Sequence, residues 1–185
     1  MMKQQLRKEL KSLRNQLSTA QVEAWSQKIC TNILTAPQYS QADVIFGYLA
    51  FGNEPNIDAV LQQALLDGKT VCVPQILSAT EICALQLGSF DDLQAGPYGI
   101  RSVGAGNVIE PQQLELVLVP GVGFAPNGSR LGMGAGYYDR FLAQAGNAVL
   151  LGVTYNALLR AELPVEPYDR PVQYIVTETN VTPCG

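Results

Sequence analysis

No histidine occurs among the 185 residues, and that absence removes more chemistry than any other feature of the composition. Ser-His and Cys-His nucleophile–base pairs and histidine-ligated zinc all need an imidazole. Any catalysis must rest on carboxylates, lysines and arginines, tyrosines, backbone amides, or a hard metal ion held by oxygens. Cysteine is scarce and unpatterned: Cys30, Cys72, Cys83 and Cys184 form no CxxC pair, so they read as free thiols rather than a disulfide framework. Charge is low, at 15% of residues, and the balance is acidic at −4, the wrong sign for a nucleic-acid-binding domain. Long apolar runs are missing as well. "LELVLVPGVGFA" is interrupted by Glu115, Pro120 and glycines, so no membrane span is expected. The N-terminal "MMKQQLRKELKSLRNQL" is charged throughout and lacks the apolar segment of a signal peptide. A cytoplasmic protein is expected, with neither nucleic acid nor membrane as partner.

What is present is 47% hydrophobic residues, enough for one core-forming domain over residues 1–185. Leu6, Leu10, Leu13 and Leu17 recur at helical spacing, and Lys3, Arg7, Lys11 and Arg14 follow the same period as a cationic stripe beside them. Ser18 with Gln21 forms a capping-box pattern that predicts a helix from Thr19 to about Leu34. "DVIFGYLAF" (43–51) reads as a buried strand closed by the loop "GNEPN". Residues 56–67 have helical periodicity with Gly68 as the stop. "TVCVP" and "EICALQL" are strands, whereas "DDLQAGPYGIRSVGAGNVIEP" is a connection without clear periodicity. "LELVLVPGVGFA" is a buried strand, "YYDRFLAQAG" a helix stopped by Gly146, "NAVLLGVTY" a strand, "NALLRAEL" a short helix and "VQYIVTETNV" a last strand. This alternation predicts an α/β fold: three layers, with helices on both faces of a mainly parallel, Rossmann-like open sheet.

Ligands of such sheets bind beyond the carboxyl ends of the strands. Three loops qualify: "FGNEPN", "PGVGFAPNGSRLGMGAG" and the segment around "TYNALL". In "RLGMGAGYYDR", Gly132, Gly134 and Gly136 alternate directly before a helix. Glycine lets backbone N–H groups face a ligand, and a helix N-terminus favours an anion. Arg130 can clamp that anion, and Asp139 can hold Mg²⁺ against phosphate oxygens. The motif is neither a Walker A sequence nor a dinucleotide fingerprint. A plain structural turn is the competing reading, and Asp139 can equally complement the helix dipole. The N-terminal stripe is either a solvated face or a polyphosphate clamp built from Lys3 and Arg7. Glu54 is a turn residue or a ligand-binding carboxylate, and Asp169 a loop aspartate or a second metal-site carboxylate.

Taken together, "KQQLR", "YLAFGNEPNI", "GKTVCVP", "PYGI", "LELVLVPGVGFAPNGSRLGMGAGYYDRFL", "LLGVTY" and "LPVEPYDRPVQYIVTE" resemble the 5-formyltetrahydrofolate cyclo-ligases, also called 5,10-methenyltetrahydrofolate synthetases, over nearly the whole chain. The resemblance implies ATP-dependent, Mg²⁺-requiring closure of 5-formyltetrahydrofolate, polyglutamylated or not, to 5,10-methenyltetrahydrofolate by a monomer. The formyl oxygen attacks the γ-phosphate, and N10 then attacks the formyl carbon. By the same resemblance, ATP would meet Lys3, Gln4, Gln5, Leu6 and Arg7 at the N-terminus and Arg130, Leu131, Gly132, Met133, Gly134, Ala135, Gly136, Tyr137 and Tyr138 in the glycine loop. Folate would meet Leu49, Glu54 and the stretch Met133, Gly134, Ala135, Gly136 and Tyr137, with Glu54 on the donor groups of the pterin. Arg130, Tyr137 and Asp139 would be catalytic, and Asp139 and Asp169 would hold the metal. The chain departs from the family pattern at Ser102, Val103, Ala125, Ala135, Leu158 and Tyr168, of which Ala135 stands where a loop cation is frequent. A diverged folate- or nucleotide-binding module with weak or no turnover is the alternative that these departures keep open.

Overall fold

The capping box at Ser18 forms as read: the Gln21 N–H donates to Ser18 Oγ at 3.2 Å and the Ser18 N–H to Gln21 Oε1 at 3.0 Å. It opens α2 (Thr19–Leu34) directly after α1 (Lys3–Asn15). The structure, a computed structural model, describes residues 2–96 and 99–185; Pro97 and Tyr98 of "PYGI" lie outside the described residues. A short α3 (Pro37–Gln41) with proline in its first turn precedes β1 (Val44–Phe46). Then follow α4 (Asp58–Leu66), β2 (Thr70–Ile76), β3 (Ile82–Gln86), β4 (Leu93–Ala95), β5 (Arg101–Val103), β6 (Val108–Ile109) and β7 (Leu116–Pro120). The last part comprises β8 (Gly123–Phe124), β9 (Arg130–Leu131), α5 (Tyr137–Leu142), β10 (Val149–Val153), β11 (Tyr174–Val176) and β12 (Val181–Pro183).

Eight of these strands form one sheet in the order β12-β11-β10-β7-β1-β2-β3-β6. The five from β11 to β2 run parallel, and antiparallel strands flank them on both sides. Period-2 alternation divides the buried side chains cleanly. Ile45, Val71, Val73, Leu116, Leu118, Leu151, Val153 and Val176 pack with α1, α2 and α4. Phe46, Cys72, Val117, Val119, Leu150 and Ile175 face the opposite way and pack with Phe141 and Leu142 of α5. The expected α/β fold with helices on both faces of a mainly parallel sheet is what forms. No helix among the described residues is long and apolar enough to cross a membrane.

Five local expectations are corrected. The first strand ends at Phe46, although the Gly47 N–H still donates to Cys72 O at 2.9 Å; α4 packs closely there, where a Cβ on Gly47 would meet Leu61 Cδ2 at 2.5 Å. The glycine-rich connection contains the β4–β5 hairpin and β6. "NALLRAEL" is only a 3-10 turn at Asn156–Leu158. Beyond it the Arg160 N–H donates to Phe124 O at 2.9 Å, which draws the chain onto β8 instead of into a helix. The last strand folds back as β11 and β12 because Thr177 and Asn180 close a turn, with the Thr179 N–H on Thr177 Oγ1 at 3.1 Å. Finally, α5 stops at Leu142, short of Gly146.

Candidate active site at the carboxyl ends of the parallel strands

The glycine loop leaves the β8–β9 hairpin and runs through residues 132–136 into α5. Gly134 (φ +112) and Gly136 (φ +69) adopt angles that L side chains rarely hold, so these glycines are required by backbone geometry. Arg7 of α1 lies flat on the loop. Its Nε donates to Gly132 O at 2.7 Å, and its guanidinium carbon is 3.6 Å from where a Gly134 Cβ would stand. From the other side Arg140 donates to Ala135 O at 2.6 Å and to Thr80 O at 2.7 Å, while the Tyr137 hydroxyl donates to Ser78 O at 3.3 Å. The loop therefore hangs between α1 and the turn after β2, with Met133, Gly134 and Ala135 exposed. Since α5 has only six residues, its dipole contributes less than the sequence reading assumed. The uncapped first-turn N–H groups and the loop amides are what remain for an anion.

Arg130 is not a free clamp. Its side chain is 5% exposed, and its Nη2 donates to Asp139 Oδ1 at 2.8 Å. The same oxygen accepts the Arg170 N–H at 3.2 Å. The Tyr138 ring packs against Phe46 and lies 5.8 Å from the Arg130 guanidinium. Asp169 Oδ2 accepts the Glu166 N–H at 2.8 Å and Lys3 Nζ at 2.6 Å, and Lys3 also reaches Glu166 at 2.7 Å. Burial alone would pull the Lys3 ammonium down, but the hydrogen bonds and charges of Asp169 and Glu166 outweigh it and hold it above its ordinary value. The hydrogen bond from Lys3, with that of Tyr168, keeps Glu166 below the usual carboxylate range.

Among the described residues no three His, Cys, Asp or Glu gather into a metal cage. A dedicated cage is not what Mg²⁺ beside a nucleotide uses; one or two carboxylates and the phosphates suffice. Asp139 Oδ2 and Asp169 Oδ1 accept no hydrogen bond among the described residues, leaving one hard oxygen on each. Those two oxygens are of the hard type that would suit Mg²⁺ held mainly by phosphate.

The loop after β1 carries Glu54. Its Oε2 accepts the Phe51 N–H at 3.0 Å, and its Oε1 stands 3.6 Å from Arg14 Nη1. Asn53 staples the loop to α1 by donating to Arg14 O and Leu17 O, both at 3.2 Å. Tyr48 closes the far end with a buried hydrogen bond to Pro55 O at 2.7 Å. Burial pushes the Glu54 carboxyl up, opposed by the Phe51 N–H and by the charges of Arg14 and Lys11. Burial, then the Glu54 charge, raises both the Tyr48 and Tyr138 phenols.

The structure thus brings together Lys3 with Asp169, Arg7 with Gly132, and Arg130 with Asp139. It sends other expected contacts elsewhere. Leu6, Leu49 and Leu131 are core residues at 7%, 8% and 1% exposure, and Gln4 and Gln5 face solvent. Among the departures, Val103, Ala125 and Leu158 are buried apolar positions, and Tyr168 is exposed with its hydroxyl on Glu166 Oε2 at 2.8 Å. Sequence reasoning missed Arg140, and it misplaced Arg14, which is buried at 6% while Leu13 is 37% exposed. A signal existed for Arg14: it continues the i, i+4 row of Leu6 and Leu10, the row that faces the core.

Comparison with known proteins agrees in its several parts. The description of the 5-formyltetrahydrofolate cyclo-ligase family matches residues 1–178. A 5-formyltetrahydrofolate cyclo-ligase of Haemophilus influenzae is 29% identical over 176 residues, covering 92% of this chain and 94% of the relative. The NMR structure of Aquifex aeolicus 5,10-methenyltetrahydrofolate synthetase superposes with a TM-score of 0.88 at 30% identity, covering 99% of this chain and 93% of that one. A 5,10-methenyltetrahydrofolate synthetase from Mycoplasma pneumoniae gives 0.80 at 26% identity, covering 96% and 99%.

Proposed function

The chain belongs to the 5-formyltetrahydrofolate cyclo-ligase family, and from that premise we propose that it converts 5-formyltetrahydrofolate and ATP to 5,10-methenyltetrahydrofolate, ADP and phosphate. The observation that carries this reading is the exposed glycine loop held by Arg7 on Gly132 O, with Lys3 one turn earlier on α1 against Asp169 and with the Glu54 loop stapled by Asn53 to the end of the same helix. The reaction needs two ligands held side by side, and it needs charge neutralisation more than a nucleophilic side chain. A chain without histidine can supply both.

In this scheme Glu54 accepts the paired N–H donors of the pterin and fixes the ring. Arg7, Lys3 and the loop amides hold the triphosphate. The formyl oxygen attacks the γ-phosphorus and ADP departs; N10 then attacks the formyl carbon, phosphate leaves with the former formyl oxygen, and the N10 proton passes to the departing phosphate. Arg130 keeps Asp139 turned toward the loop, and Tyr137 walls the space between the two ligands. Asp139 and Asp169 would hold Mg²⁺, which supplies neutralisation of phosphate charge when bound. Lys3 already sits on Asp169, so nucleotide entry exchanges a carboxylate partner for phosphate. With this reading goes a cytoplasmic monomer in which residues 1–185 act as one catalytic domain.

The test is spectrophotometric. Methenyl-folate absorbance is expected to grow only when 5-formyltetrahydrofolate, ATP and Mg²⁺ are present together. Folate and ATP binding with no growth in absorbance would replace the enzyme by a binding module, the reading to which the uncharged Ala125, Ala135 and Leu158 otherwise point.

A further inference from the structure

We propose that Arg14 is the positioning residue for Glu54: lodged behind the carboxylate, its guanidinium keeps Glu54 ionised and aimed at a ring that presents paired N–H donors. The inference rests on the folate reading and names what makes its recognition group work.

Arg14 is a charged residue only 6% exposed, and buried arginine is normally engaged through its whole fork. Here it is not. Glu54 Oε1 lies 3.6 Å from Nη1, beyond hydrogen-bonding distance, and both Nη1 and Nε lack a partner. A structural brace would have closed that gap. An arginine held at this distance contributes its field rather than a bond, and leaves the carboxylate lone pairs free for a ligand. The loop is arranged to keep the gap. Phe51 N–H fixes Glu54 Oε2, and Asn53 ties the loop to the last turn of α1.

The other groups facing Glu54 are Lys11 of α1 and the phenols of Tyr48, Tyr138 and Tyr155. The phenols are all raised, first of all by burial, and so stay neutral. Positive charge at this place therefore comes from Arg14 and Lys11. Protonation turns one carboxylate oxygen into an O–H donor, so Glu54 no longer accepts a donor on each oxygen; folate binding is present above the Glu54 pKa and lost as pH falls through it. Burial raises that pKa, and the charge of Arg14 is one of the causes that oppose it, so removing Arg14 moves the loss to higher pH.

The experiment is the folate KM between about pH 5.5 and 8.5 for wild type, Arg14→Met and Arg14→Lys, with the ATP KM measured in parallel. Arg14→Met is expected to raise the folate KM about tenfold at the acidic end and to recover toward wild type at the alkaline end. Arg14→Lys restores the wild-type profile, and the ATP KM does not move. A folate KM in Arg14→Met that is independent of pH, or a matching rise in the ATP KM, overturns the proposal. If Arg14→Met does not fold, Glu54→Gln/Arg14→Met decides against Glu54→Gln. Equal folate KM values support action through Glu54, and a further loss in the double variant overturns it. Wild-type protein without folate-dependent turnover would overturn the folate reading itself, whereas normal wild-type turnover with a pH-insensitive Arg14→Met overturns this inference alone.

Discussion

Two buried arginines face two carboxylates in this molecule, and the pairs are built differently. Arg130 and Asp139 are joined by a direct hydrogen bond at 2.8 Å, with the carboxylate further held by the Arg170 N–H, although Arg130 Nε itself has no partner. Arg14 and Glu54 stand 3.6 Å apart, and Arg14 keeps two unpartnered nitrogens. The first pair is closed and joins the hairpin that precedes the glycine loop to the helix that follows it. The second is open, its carboxylate oriented by backbone and its charge supported at a distance. In the proposed function a closed pair would give rigidity where phosphate meets a fixed backbone, and an open pair would keep an acceptor available for a neutral ring, at the expense of desolvated nitrogens.

The largest effect that can break this contrast is at Asp139. Asp139→Ala leaves Arg130 buried and unpaired, and should cost on the order of 3 kcal/mol of stability in denaturant unfolding, together with loss of turnover. Asp139→Asn keeps an acceptor for Arg130 and for the Arg170 N–H, so it should fold near wild-type stability yet lose turnover by about a hundredfold or more. A stable and fully active Asn variant would reduce Asp139 to a brace alone.

Next in size is Arg7, the residue that spans from α1 to the glycine loop. Arg7→Ala should raise the ATP KM about tenfold and leave the folate KM alone. Steady-state kinetics with each ligand varied would show this, and an unchanged ATP KM would return the N-terminal stripe to a solvated face. The smallest effect is expected at Lys3. Lys3→Met removes a pair whose Glu166 partner is half exposed, so thermal unfolding should shift by less than the equivalent of about 1 kcal/mol. The ATP KM should rise only a few-fold, about 1 kcal/mol or less. A loss at Lys3 as large as at Arg7 would mean that the Lys3–Asp169 contact is as closed as Arg130–Asp139.

Much of this was legible in the chain. The capping box at Ser18, the β7 strand around "LVLV" and the glycine requirement of the loop are local matters, governed by side-chain-to-backbone bonds and steric φ limits, and local matters can be read from a string. The β4–β5 hairpin and the 3-10 turn after Tyr155 were not legible. The turn depends on a partner far along the chain, because the Arg160 N–H turns to Phe124 rather than to a helical acceptor, whereas the hairpin is a local pairing of Leu93–Ala95 with Arg101–Val103 whose strands are too short to show an apolar alternation. The site divides in the same way. Lys3, Arg7, Glu54, Arg130, Asp139 and Asp169 could all be named as candidates in advance, from residue type, from the cationic stripe and the glycine motif, and from the family resemblance.

What each of them touches was decided by packing. The sequence alone determined the fold class, the absence of histidine chemistry and the glycine-loop-plus-helix motif, since these follow from composition, periodicity and local geometry. Only the tertiary structure decided that Arg14 turns inward beside Glu54 while Leu13 faces solvent, and that Arg130 is committed to Asp139 instead of standing free. The reason is that a charge's role depends on its distance to partners and its exclusion from water. Residues 9 apart for one pair and 40 apart for the other acquire those properties only when the sheet brings their loops together.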